Sequence, residues 1–262
     1  MPSPERTAPR RQQGSGRGQV CVWPGGVLWI GTSSTPGTVH SHHAIQLGFG
    51  DDEPIHFRTA DDAPWYPYAG CVIPADLPHA LDGSGRRSAI IFVDPESDEG
   101  RGLRSRAVPG GITHLPEDEA RAAAGRIFEA WGRTHDCASL SAAARMAVRD
   151  LAGTAERAPS ADPRVLGAIE LIRARLDGRV TLPAIARDLN VSPSRLRHLF
   201  VHEVGLPFRT YVLWQRLQRV IQGIGNEPLT QGALSAGFAD AAHMTRTFRR
   251  MLGFAPSAIH RE

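Results

Sequence analysis

At 262 residues the chain has room for two domains, each able to bury its own core. No apolar run reaches transmembrane length and no signal-peptide segment opens the chain, so a membrane protein or an exported one is not expected. The net charge is +3, but it is unevenly spread: from Asp162 onward 14 arginines stand against 8 acidic residues, a balance of +6 that leaves −3 for the rest. Every cation is arginine, since the sequence contains no lysine. A basic C-terminal part on a near-neutral chain is the footprint of a nucleic-acid module. Three cysteines, an odd number with no C-x-x-C pair, point to free thiols in a reducing cytoplasm.

Residues 1–18 carry almost no large apolar side chains, and the composition predicts a disordered tail. From Gln19 to about residue 115, short β-branched and apolar runs alternate with Gly, Pro and Asp. The runs are Gln19–Trp23, Val27–Ile30, His42–Phe49, Pro54–Arg58, Gly70–Pro74 and Ser88–Val93, a spacing that suits a small β-barrel or sandwich. Trp65, Tyr66 and Tyr68 lie either at the mouth of such a barrel or under a loop. Residues 116–155 hold two helical periodicities, Glu117–Thr134 and Ser139–Ala155, expected to dimerise the protein. Residues 156–162, bracketed by Pro159 and Pro163, read as a linker.

Histidines crowd the β-rich part. His40, His42 and Gln46 share parity, so an extended strand would point them to one face. His79 follows in Gly70-Cys-Val-Ile-Pro-Ala-Asp-Leu-Pro-His79. The pattern resembles the paired motifs of cupins, in which two histidines, a glutamate and a later histidine hold a divalent metal. Gln46 stands where that carboxylate would be, and an amide is a poorer ligand for most divalent ions. Three readings stay open: a divalent metal site, a metal-free pocket for a small effector, or histidines that satisfy local hydrogen bonds.

Residues 163–262 contain one pattern twice. Leu182–Phe200 and Leu229–Phe248 each read as a short apolar-periodic helix, a tight turn and a second helix. Ser192, followed by Pro193, and Asp240 are good N-caps, because their oxygens accept unpaired helix-start N–H groups. Each second helix runs on to a glycine, Gly205 or Gly253, suited to a left-handed C-terminal position. Two helices joined this way form a helix-turn-helix, whose second helix can enter the DNA major groove.

The doubled pattern, with the closing run Gly237-Phe238-x-Asp240 … Phe248-Arg249-Arg250-x-x-Gly253-x-x-Pro256-Ser257, resembles the DNA-binding domain of AraC-type transcriptional regulators. The resemblance implies an α+β chain: a cupin-like barrel with flanking helices, then a seven-helix domain whose two units are joined by a rigid helix. It implies a homodimeric, cytoplasmic regulator, most often an activator, with double-stranded DNA, a small effector and RNA polymerase as partners, and no enzyme. Leu196, Leu199 and Phe200 are spaced to face the core, which turns Ser194, Arg195, Arg197 and His198 outward. Met244 and Phe248 do the same for Ala241, Ala242, Thr245 and Arg246. Arginine suits guanine O6 and N7, and the Ala and Thr methyl groups suit thymine. Arg209, Arg249 and Arg250 are expected phosphate contacts, and Arg216 a structural one. Gly232 lowers helix propensity in the second unit by about 1 kcal/mol. The competing function is a metal-dependent cupin enzyme with an accessory DNA-binding domain.

Overall fold

The structure, a computed structural model, describes residues 16–153, 162–224, 227–252 and 256. Among the described residues nine strands come first: β1 (Gly16–Trp23), β2 (Gly26–Ser33), β3 (Ile45–Gly50), β4 (Ile55–Arg58), β5 (Tyr66–Tyr68), β6 (Gly70–Ile73), β7 (Ala80–Asp82), β8 (Arg87–Val93) and, after α1 (Asp98–Arg104), β9 (Thr113–His114). They form a six-stranded sheet in the order β1-β2-β8-β3-β6-β9 and a three-stranded sheet in the order β5-β4-β7. Of the barrel or sandwich expected, the described residues form two sheets, and no closed barrel is found among them. Between the sheets the strand ladders give way to isolated bridges, Ser33 to Ser84 and His40 to His79, and to single backbone hydrogen bonds such as Gly37 N–H to Leu81 O at 2.8 Å. The short strands β4, β5 and β7 offer too little edge to close the circle.

Side-chain alternation sorts the large sheet into two faces. Cys21, Leu28, Ile30, Leu47 and Ile91 face the helices α2 (Glu117–Arg133) and α3 (Cys137–Ala152). Ile90 and Ile73 on the opposite face meet Ile55, Phe57 and Tyr68 of the small sheet. Farther along that same face, Val20, Val27 and Ala44 join the core of the helical C-terminal part. Both faces are covered, which explains why β3 and β6 are buried along their whole length. One correction concerns the thiols: Cys21 and Cys137 form a disulfide with Cα atoms 5.2 Å apart, joining β1 to the first turn of α3, and Cys71 is the free, buried cysteine.

β1 begins at Gly16, inside the stretch expected to be a tail; residues 1–15 and 154–161, which hold most of that tail and most of the expected linker, lie outside the described residues. Asp162 caps α4 (Pro163–Ala174), accepting from the Arg164 amide at 2.9 Å. Five further helices follow: α5 (Leu182–Asp188), α6 (Pro193–Val204), α7 (Phe208–Gly223), α8 (Leu229–Ser235) and α9 (Ala241–Leu252). A seventh helix would fall outside the described residues.

Candidate nucleic-acid interface and ligand pocket

The two helix-turn-helix units repeat each other bond for bond. In the first, Leu189 N–H donates to Ile185 O, Asn190 to Arg187 O and Val191 to Ala186 O. In the second, Ala236 donates to Gly232 O, Gly237 to Leu234 O and Phe238 to Ala233 O. The middle residue of each turn is left-handed, Asn190 at φ 53° and Gly237 at φ 84°. Asparagine tolerates that region, but at position 237 a Cβ would sit 2.2 Å from Leu176 O, so only glycine fits. The expected caps are present: Ser192 Oγ accepts from the Arg195 amide at 3.2 Å and Asp240 Oδ1 from the His243 amide at 2.6 Å. Gly205 closes α6 at φ 83°, while Gly253 lies outside the described residues.

Leu196, Phe200, Met244 and Phe248 are buried, and Leu199 is half-buried. Ser194, Arg195, Arg197 and His198 on α6 are exposed, as are Ala242, Arg246, Arg249 and Arg250 on α9 and Arg209 at the start of α7. Ala241 and Thr245 are half-buried. Several arginines off these faces are engaged: Arg164 with Asp162, Arg173 with Asp94, Arg175 with Asp188 and Arg219 with Asp177. Arg216 donates to Gly178 O at 2.8 Å, a structural contact beside the Gly237 turn. Among the described residues Arg197, Arg209, Arg246, Arg249 and Arg250 have no carboxylate within ion-pair distance. Their charge is available to an outside partner. Gly232 is buried, where an added Cβ would meet only the Glu227 side chain at ordinary contact distance.

On the sheet face between the small sheet and α7 lies the histidine cluster. His40, His42 and His79 place one ring nitrogen each within 4.8 Å of the others. They converge by a route that strand parity does not describe, because β3 starts only at Ile45. His40 instead bridges His79, each amide donating to the other's carbonyl at 2.9 Å. His42 Nε2 lies 2.9 Å and His79 Nε2 3.1 Å from Gln46 Oε1. His40 Nδ1 and His79 Nδ1 lie 3.0 and 2.8 Å from the carbonyls of Thr38 and Leu77. Burial, with its desolvation cost, holds all three rings neutral: it lowers the pKa of His40, takes His42 to about 4 and drives His79 well below its ordinary value. The aromatic residues are elsewhere. Trp65 lies 4.5 Å under the Arg58 guanidinium, Tyr66 is exposed, and Tyr68 stacks on His114.

The cluster abuts the helical half directly. His42 stacks on Trp214 of α7 at 6.4 Å between ring centres and meets Phe92 edge-on at 5.0 Å. Beside it, His43 Nε2 lies 2.6 Å from Glu96 and Nδ1 3.4 Å from Asp76, and its ring meets Tyr211 edge-on. Burial opposes charge on His43, but the hydrogen bonds to Asp76 and Glu96 and their charges outweigh it and raise its pKa to about 9. Asp94 Oδ2 accepts from Arg173 at 2.8 Å, while Oδ1 takes the Gln218 amide and the Trp214 indole N–H. Arg173 also donates to Gln215, which donates to the Tyr211 hydroxyl. Sequence reading missed His43, Asp76, Asp94 and Glu96. The adjacent pair His42-His43 was visible, but nothing local marks which elements their side chains meet.

Residues 185–262 match a family described as a helix-turn-helix domain. The arabinose operon regulatory proteins of Salmonella typhimurium and Escherichia coli are each 30% identical over 105 residues, 38% of this chain. The match spans 36% and 35% of those proteins, so the chain covers about a third of the curated relatives' length. The HTH-type transcriptional regulator GlxA of Rhizobium meliloti is 27% identical over 131 residues, 49% of this chain and 40% of that protein. In overall fold the chain is similar to ToxT from Vibrio cholerae, with a TM-score of 0.55 at 12% identity over 91% of this chain and 95% of that one. A ToxT structure with unsaturated fatty acid bound gives a TM-score of 0.52 at 9% identity, covering 94% and 92%.

Proposed function

On the premise that the C-terminal third is an AraC-type helix-turn-helix domain, we propose that this protein is a sequence-specific, effector-responsive transcriptional regulator. The observation that carries the reading is the contrast among its arginines: those on α6, α9 and the start of α7 have no carboxylate partner, while several elsewhere are paired within the protein. Ser194, Arg195, Arg197 and His198 read one major-groove segment, and Ala241, Ala242, Thr245 and Arg246 the next. Arg209, Arg249 and Arg250 take phosphates. The buried face of α7, with Trp214 and Leu217, holds the two units at one separation.

The two-sheet sensor is read as cupin-like, with His40, His42, Gln46 and His79 as its ligand pocket. The stacking of His42 on Trp214 supports effector response, since it sets pocket and linker helix one ring apart. Helices α2 and α3, where Met146 is exposed, are read as the homodimer contact, RNA polymerase as the downstream partner and the cytoplasm as the site of action. The competing enzyme reading is not favoured: the named relatives are regulators. Footprinting on DNA flanking the coding sequence tests the proposal. Protection of two adjacent major-groove segments is expected, and binding with no sequence preference would overturn it.

A further inference from the structure

The two cysteines of the disulfide sit in unequal surroundings. Cys21 is 1% exposed in the middle of β1, whereas Cys137, the first residue of α3, is half-buried. A thiolate arriving from solvent therefore meets one sulfur of the pair and not the other. The site accommodates the broken bond as well as the intact one. Val20 O lies 3.4 Å from Cys137 Sγ, placed to accept from a thiol S–H that the disulfide lacks. Gln19 Nε2, which donates to His135 O, lies 3.5 Å from the same sulfur and offers it an N–H. Cys71 stays out of this chemistry, because it is buried and its burial pushes the thiol pKa up. The strand that holds Cys21 also reaches the helical half. It ends the large sheet and pairs with β2. Alternation turns Cys21 toward α3, and Val20 and Val22 the other way. Val20 joins the core that contains Tyr211, Trp214 and Leu217 of α7, and β1 touches α7 directly. One strand is thus bonded to α3 on one face and packed on the helix between the two helix-turn-helix units on the other.

We propose that Cys21 and Cys137 form a thiol–disulfide switch, opened by low-molecular-weight thiols at Cys137, that sets how firmly β1 buttresses α7 and so the affinity for DNA. It rests on the reading of the chain as a regulator acting in a reducing cytoplasm, where protein disulfides are mostly transient, catalytic or redox-sensing. In the opening direction a small thiolate attacks Cys137 Sγ, the S–S bond breaks, and Cys21 leaves as a thiolate that takes up a proton. A second small thiolate attacks the mixed disulfide at the small molecule's own sulfur. That step releases Cys137 and a small-molecule disulfide. The protein pair gains the two electrons that the two small thiols lose. A rise in the small disulfide runs the same steps backward. With the bond closed, β1 is fixed between α3 and α7. With it open, the edge strand is held by its β2 ladder and non-covalent packing, and α7 loses a rigid support.

The test equilibrates the full chain in buffers of graded reduced-to-oxidised glutathione ratio, blocks free thiols with a maleimide, and counts labels by mass spectrometry. Affinity for the footprinted operator and for a scrambled duplex is measured in the same buffers. Reversible loss of two labels, at Cys21 and Cys137, is expected as the ratio falls. Operator affinity should be about tenfold weaker in the reduced chain. Cys137→Ser should hold the weaker affinity in every buffer. Cys21→Ser should bind operator equally weakly and take up one glutathione, at Cys137. Should the Cys21 variant fail to fold, Cys137→Ser and the unaltered chain decide. A pair that stays oxidised at every ratio, or never closes, overturns the switch. So does operator affinity that is unchanged or tighter after reduction, while sequence-specific binding that ignores the pair leaves the regulator reading standing. If neither state prefers operator over scrambled duplex, the regulator reading fails, and with it the switch's output.

Discussion

Asp94 and Arg173 form an ion pair across the boundary between the sheets and the helices, with Oδ2 and Nη2 2.8 Å apart and the carboxylate 1% exposed. Asp94 is also the acceptor for Trp214 and Gln218, so three donors of the helical half converge on one residue of the β-rich half. Asp94→Ala strands those donors and should destabilise the protein by roughly 2–4 kcal/mol. Denaturant melts measure the loss. Asp94→Asn, which keeps an acceptor, should cost less; equal losses would show that the acceptor geometry does not matter.

Stability should fall away on both sides of neutrality, for different histidines. His43 has its pKa raised to about 9, above the unfolded value near 6.5. Its contribution is full below about 6.5 and disappears as pH rises through 9, on the order of 3 kcal/mol in all. His43→Gln should flatten that alkaline limb. His42, lowered to about 4, binds its proton more readily unfolded, so stability falls as pH drops from about 6.5 through 4. His40 and His79, also lowered by burial, add to the same acid limb. Melts across the pH range check both signs.

The exposed arginines divide by role. Arg246→Ala should cost roughly 1–3 kcal/mol of operator affinity and relax preference at one or two base pairs. Arg250→Ala should weaken all sequences alike and reduce the salt slope by about one unit. Titrations at several salt concentrations on operator and scrambled duplexes distinguish them. An Arg246 variant with unaltered base preference would remove that residue from the reading face.

Reduction of the Cys21–Cys137 bond should lower stability by roughly 4–5 kcal/mol in the chain-entropy account, because it closes a loop of more than a hundred residues. Cys137→Ser should reproduce the loss and make the protein indifferent to dithiothreitol. A variant whose stability matches the oxidised protein would show that the bond constrains nothing.

The helical half was legible because its signals are local. Ser192 and Asp240 cap helices within three residues of themselves, and Leu196, Phe200, Met244 and Phe248 fall on a helical period. The matched left-handed turns at Asn190 and Gly237 could have been found from residue type. The pocket histidines were legible as a group, but their geometry depends on a bridge between His40 and His79, far apart in sequence. Helix α1 was hidden by Gly100 and Gly102, though Ser97 caps it and Asp98 and Glu99 open it. The disulfide joins residues 116 apart, Asp94 meets partners on helices read as a separate domain, and Glu96 meets His43, whose ring in turn meets Tyr211 of those helices. Pattern along the chain carries no trace of such meetings.

The bond between β1 and α3 also sets what a single cut can do. A protease that cleaves any one peptide link between Cys21 and Cys137 leaves two fragments still covalently joined, with the nicked chain migrating as one species until thiol is added. Most of the nine strands, the pocket histidines and Asp94 lie inside that closed circuit, whereas both recognition helices lie outside it. A nick between the two cysteines and a nick between Cys137 and α4 are therefore distinguishable on an unreduced gel: the first leaves one covalent species, and the second releases helices α4 to α9.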